Sequence, residues 1–302
     1  MKPAVCVMLC RWVGIAGVLF HGGCNDHTGT LGAYFGDASA DLRIEGPRCG
    51  DLTLPSQLPL PADIGFADLP ATLPLGVVNV AMDFADNLGA IPAGWSLGAG
   101  SYSASLSEFG APGVSVESDA INLIVKPKDA PTEGSTDRLY WGGELSSSPK
   151  FGTGVFVAKV RNDGWQAVQS SFFFANDYID ALGNNLGWSG AILEFTHDGQ
   201  RQRLSAIIHE SSTGRHDAQT VQLDVSPTRF TTLALVALPS GQVGFYVDGQ
   251  RLWEIKGAQL PPMLSFRFTH WINGPAANFK PSPTPVVFSL DVVAHYKLTC
   301  AY

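Results

Sequence analysis

A chain of 302 residues can be one large β-sandwich or two ordinary domains. Its 45% hydrophobic and 15% charged content excludes a disordered polymer, and a net charge of −8 without any Lys/Arg run excludes nucleic acid and acidic membrane surfaces as partners. The 33 Gly and 20 Pro predict many turns and few long helices, the balance of an exported β protein.

Residues 1–24 read as an export signal rather than as fold. Lys2 precedes an apolar stretch at 4–20, interrupted only by Arg11, and Gly22-Gly23 leads to Cys24. The stretch is too short and broken for a membrane span. Its ending, LFHGGC at 19–24, resembles a bacterial lipoprotein box, which makes Cys24 the acylated residue. His21 stands where such boxes carry an aliphatic or small residue, so lipid anchoring and plain secretion both stay open. The expected location is the bacterial cell envelope or the extracellular space. Cys6 and Cys10 leave with the signal. Cys49 and Cys300, near the ends of the mature chain, are expected to pair in an oxidising compartment, with two buried thiols as the alternative. No CxxC, HExxH, P-loop or calcium-loop pattern occurs, so no cofactor or metal is expected.

Residues 25–76 contain LPSQLPLPAD at 54–63 and LPATLPL at 69–75. Proline at that density removes backbone donors and opposes helices, which predicts an extended lead-in or linker. From residue 77 onward, short apolar runs follow one another at 120–125, 154–160, 170–174, 191–196, 204–209, 231–238, 243–247 and 286–294. Each is rich in β-branched or aromatic residues, and turn residues separate them. The Asp248-Gly249 pair predicts a tight type I′ hairpin. Helical spacing is sustained nowhere, and the expected fold is an antiparallel sandwich of two sheets over 77–302.

Five segments in order resemble the laminarinase/lichenase type of glycoside hydrolase family 16. WGGELSS at 141–147 with KFGTGVF at 150–156 is similar to its GGEL-R-S and YGYG strands, and SSFF at 170–173 is similar to its SSFF strand. FTT at 230–232 with GFYVDG at 244–249, PM at 262–263 with WING at 271–274, and SLDVV at 289–293 follow in the family order. The resemblance implies a concanavalin A-like jelly roll of two curved antiparallel sheets, with a β-glucan-like polysaccharide as partner. Relatives carry a structural calcium, for which this sequence shows no liganding cluster.

The resemblance fails at the catalytic strand. The family signature W-D-E-I-D-I-E-F supplies a nucleophile, a central Asp and an acid/base. Here residues 188–195 read WSGAILEF. Glu194 inherits the acid/base position, Gly190 stands at the nucleophile and Ile192 at the central Asp. Retaining hydrolysis needs two carboxylates, and strand residues i, i+2 and i+4 share a face. The family's cleft Arg and Asn are replaced by Ser146 and Thr269. A shifted register pairing Glu194 with Asp198, and a distant base such as Asp177 or Glu210, would each restore a second carboxylate.

The family places Trp188 and Trp271 in its cleft, so both are expected to stack on sugar. His209, Asn176 and Trp165 are further candidate glycan contacts, although Trp165 and His209 also suit packing. Glu144 and Trp253 are expected to be structural. The favoured reading is an exported, monomeric glycan-binding protein on a hydrolase scaffold without hydrolase activity. An active β-glycan hydrolase with a displaced nucleophile and an envelope interaction protein are the alternatives.

Overall fold

The computed structural model describes residues 48–58, 73, 75–84, 90–100, 105–117, 120–129, 139–179, 185–197, 201–222, 229–273, 282 and 284–300. The segment 1–24 expected to be an export signal, with Cys24, and Asp198 and most of the Pro-rich lead-in lie outside these residues.

Sixteen strands, numbered β1–β16 in chain order, are described. One sheet runs β11 (Arg215–Gln222), β10 (Gln202–Glu210), β9 (Asn185–His197), β8 (Val168–Ile179), β15 (Ser265–Ile272), β6 (Tyr140–Ser147) and β2 (Trp95–Leu97). The other runs β4 (Val114–Val116), β5 (Ile121–Pro127), β16 (Val286–Leu298), β7 (Gly154–Asn162), β12 (Thr231–Ala237), β13 (Val243–Val247) and β14 (Gln250–Ile255). On β16, β5 pairs with the first half of one edge and β1 (Leu75–Asp83) with the second half. The sheets join at a corner where β5 and β6 share only Lys126↔Trp141 and Pro127↔Tyr140, with β3 (Ser107–Phe109) parallel to β6 beside it. This is the curved all-β jelly roll expected from the sequence.

Alternation along each strand builds the core. On β8, Phe172 and Phe174 point inward and are fully buried, while Ser171, Phe173 and Ala175 belong to the opposite face. Between the sheets Phe156 stacks on Phe174 with centroids 4.4 Å apart, and within the first sheet Phe172 stacks on its strand neighbour Phe268 at 5.3 Å. Burying each such ring contributes about 1.5–3 kcal/mol. Asp248 and Gly249 both take positive φ, 46° and 79°, and close the two-residue hairpin between β13 and β14 as a type I′ turn demands.

The sequence opens the domain at residue 77; β1 opens at Leu75. The described part of the lead-in also packs. Leu52, Leu54 and Leu58 are buried on the outside of the second sheet against Val155, Val157, Ala234, Val236 and Tyr246. The Tyr246 hydroxyl donates to the Pro55 carbonyl at 2.8 Å, and Arg251 Nη1 donates to the Leu54 carbonyl at 2.9 Å. Cys49 is bonded to Cys300 across 251 residues of sequence, as expected, and ties this segment to the end of β16.

Candidate functional site

Residues on the outer face of the first sheet fall into rows set by strand register. One row reads Glu144, Thr269, Ser171, Glu194, Ser205 and Thr220 across β6, β15, β8, β9, β10 and β11. The next reads Ser146, Arg267, Phe173, Ile192, Ile207 and Ala218, and the third places Ser265, Ala175, Gly190, His209 and His216 side by side. Trp188 lies one alternation beyond Gly190, on the same face. The i, i+2, i+4 reasoning therefore holds: the three signature positions Gly190, Ile192 and Glu194 share this face.

Glu194 is half-buried and leans towards β8, where Ser171 Oγ donates to Oε2 at 3.1 Å and Gln169 Nε2 donates to Oε1 at 3.2 Å. Burial pushes its carboxyl up from 4.5 to about 6, against the opposing effect of the Ser171 hydrogen bond. Desolvation is the larger of the two because the neighbouring row is apolar.

At Gly190, where the family resemblance expects a nucleophile, the space is filled as well as the side chain missing. A Cβ on Gly190 would stand 2.4 Å from the Phe174 carbonyl oxygen and 2.6 Å from Ala175 Cβ. Both obstacles belong to β8, so β8 and β9 lie too close here for any side chain. Ile192 sits in an apolar patch with Phe173, Ala175 and Ile207, each at most 9% exposed, and Trp188 packs against its edge. A carboxylate at Ile192 would be desolvated among hydrocarbon, without a partner.

The carboxylates that the row pattern or the sequence points to, Glu144, Glu210 and Asp177, do not approach Glu194. Glu144 shares its row but stands three strands away, about 14 Å at the usual spacing. The Glu144 side chain lies across Gly98, beyond β6, on the side away from Glu194. Glu210, offered by the sequence as a distant base, belongs to the opposite parity of β10 and is 1% exposed. Its carboxylate accepts hydrogen bonds from Gln259 N and Thr213 Oγ1 and meets Arg215 at 3.5 Å. That corrects the Glu210 expectation: the residue ties the β10–β11 turn to the chain after β14. Asp177 pairs in register with Trp188, six residues along β9 from Glu194, which is about 20 Å of strand.

The candidate aromatic residues divide. Trp188 is half-buried on the face, with centroids 4.3 Å from His209 and 6.0 Å from Phe173. His209 joins it there, and Ser211 Oγ lies 3.3 Å from its Nε2. Burial first, and the His216 ring second, push the His209 imidazole below its ordinary value, so it is neutral at pH 7. Trp271 is half-buried on β15 at the same parity as Thr269 and Arg267. Trp165 packs instead against Leu106, Val125, Val168, Ile272 and Val286, the apolar cluster formed by inward positions at one end of the sandwich. This is the packing position that the sequence left open for it, apart from the face that carries Glu194. Asn176 is also corrected. It follows Ala175 by one residue, so alternation turns it to the other side of the sheet, where Lys150 Nζ donates to its Oδ1 at 2.8 Å. Trp253 stacks on Phe245 at 5.3 Å, a packing role as expected.

One residue of this face has no counterpart among the sequence candidates. Arg267, between Ser146 and Phe173, holds its guanidinium carbon 5.7 Å from the Phe173 ring centroid. Its position at i−4 from Trp271 in a strand is the signal that places it here.

No family profile matches the sequence, and no curated protein is similar to it at a significant level. Solved structures are similar in fold. A β-glucanase of Bacillus licheniformis superposes with a TM-score of 0.58 at 18% identity, covering 74% of this chain and 99% of its own. The catalytic domain of an endo-1,3-β-glucanase (laminarinase) from Thermotoga petrophila gives 0.63 at 13% identity, over 75% and 99%. A structure described with endo-acting O-glycanases of the human gut microbiota gives 0.59 at 14%, over 76% and 92%. The fold is thus that of the β-glucanases and laminarinases of glycoside hydrolase family 16.

Proposed function

We propose that this protein is an exported glycan-binding protein that uses a β-glucanase scaffold without hydrolysing its ligand. The observation that carries the reading is the closed space at Gly190. Retaining chemistry needs a nucleophile about 5–5.5 Å from the acid/base, and an inverting base belongs within about 9.5 Å. Phe174 and Ala175 occupy the first place, and Glu144, Glu210 and Asp177 are each placed away from the second by strand register or by burial on the other side of the sheet. What remains on the face suits binding. Trp188 and Trp271 offer half-exposed rings to the CH faces of sugars, a contact of dispersion and desolvation that needs no carboxylate pair. By analogy with the β-glucanases of the same fold, the ligand is a polysaccharide with a β-glucan-like backbone. The export signal at 1–24 and the Cys49–Cys300 bridge support an extracytoplasmic location, either anchored through Cys24 or free.

One observation favours a second reading. A carboxyl raised to about 6 is poised as a general acid, as an active hydrolase requires. A glycan array run beside a reducing-sugar assay on the same purified protein separates the two. Binding without release of reducing ends supports the proposal. Release of reducing ends overturns it, and absence of both favours the envelope interaction protein.

A further inference from the structure

Arg267 is a cation placed among apolar and hydroxylated neighbours. Its register partners are Ser146 and Phe173, and along β15 its face neighbours are Ser265 and Thr269. The acidic groups nearest in the row pattern are engaged elsewhere: Glu144 lies across Gly98, and Glu194 is held by Ser171 and Gln169. Among the described residues no carboxylate pairs with Arg267. Its Nε is out of solvent and has no hydrogen-bond partner. An unmade donor in such a position is costly, and it leaves the guanidinium without an acceptor from the fold on that side. Arg267 is half-exposed although its Nε is covered, so a ligand meets the Nη end of the guanidinium, whose two nitrogens can donate to two oxygens of a carboxylate or sulfate, and the Phe173 ring beneath restricts the plane in which that end lies. The position also matters. Trp271 stands four residues along the same face, about 13 Å away, and Trp188 lies on the other side of Phe173. A sugar chain crossing between the two indoles would therefore carry its substituents past Arg267.

Resting on the glycan-binding reading above, we propose that the ligand is an acidic glycan and that Arg267 binds its negative group, a carboxylate or a sulfate ester. The face is prepared for this locally even though the whole chain carries −8, because at physiological salt charges beyond about 8 Å are largely screened. The nearest acidic neighbour on β9, Glu194, is partly protonated in mildly acid solution and then repels such a ligand less.

The test compares three sets of oligosaccharides by calorimetry: neutral β-glucans, uronate-containing chains and sulfated chains. The wild type and the Arg267→Lys and Arg267→Gln variants are titrated with each. Wild type should bind one acidic set about tenfold or more tighter than the neutral set, and which set it is identifies the carboxylate or the sulfate. Arg267→Gln should lose that preference while keeping its affinity for neutral chains. Arg267→Lys should recover only part of it, since a point charge lacks the paired donors. If neither variant folds, the wild-type comparison of acidic against neutral chains decides alone. Equal affinity for neutral and acidic chains, or a preference that survives Arg267→Gln, overturns this inference and leaves glycan binding standing. No binding to any set overturns both.

Discussion

Replacing Glu194 by Gln removes a charge that the fold holds at a cost. The carboxyl titrates near 6 in the folded protein against 4.5 when solvated, with burial as the cause. At about 1.4 kcal/mol per pH unit, that difference amounts to at most about 2 kcal/mol, less to the extent that the half-buried group is screened by water. For a carboxyl raised in the folded state, the folded protein binds more protons between 4.5 and 6. Stability therefore falls as pH rises through that window, and the whole loss is present above 6. Gln carries no such loss, and its amide can still accept from Gln169 and donate to Ser171. Thermal unfolding of both proteins at pH 4 and at pH 7.5 measures the effect. Background titrations common to both proteins cancel in the comparison. Glu194→Gln should unfold up to about 4–8 °C higher at pH 7.5, at about 2–4 °C per kcal/mol for a domain of this size, and within about a degree of wild type at pH 4. A variant that is less stable at pH 7.5, or a difference that does not change with pH, would refute the picture of a lone desolvated carboxylate.

Gly190→Glu should cost about 1–3 kcal/mol, because the added Cβ meets the Phe174 carbonyl and Ala175. It should restore no hydrolysis, and a variant as stable as wild type by denaturant titration would contradict the crowding. Cys300→Ser opens a loop closed across 251 residues and should lower stability by as much as about 5 kcal/mol in the chain-entropy picture. Unfolding under reducing and non-reducing conditions checks it. Equal stability in both would mean that the bridge contributes nothing.

Strand periodicity made most of the fold legible, since runs such as 170–174 and 204–209 alternate or fill both faces with β-branched and aromatic residues. Strand β11 gave no such signal. RHDAQTVQ is polar on both faces, because at the sheet edge its pairing with β10 is made by the backbone and needs no apolar side chains. The lead-in was legible as extended chain, but proline density says nothing of where Leu52, Leu54 and Leu58 are buried. At the site, the absence of carboxylates at Gly190 and Ile192, where the family resemblance expects them, stood in the sequence. That Ala175 fills the space beside Gly190 did not, since it is a contact between strands whose local spacing only the folded sheet defines. Asn176 shows how narrow the margin is: it lies one residue from the face-lining Ala175, and a period of two sends it to the other side. Arg267 shares the parity of Thr269 and Trp271, yet a lone charge on a strand reads as a solvated residue until its neighbours are known.

The central claim, that the face binds glycan and does not cut it, is tested most directly by titrating the best glycan into four proteins while assaying reducing ends in the same samples. Trp188→Ala and Trp271→Ala should each weaken binding about fivefold or more, because a stacked ring contributes on the order of a kcal/mol beyond its burial. Glu194→Gln should bind nearly as wild type does, and no protein should release reducing ends. Turnover by the wild type that disappears in Glu194→Gln would contradict the account, and would mean that a base outside the signature strand completes an active hydrolase.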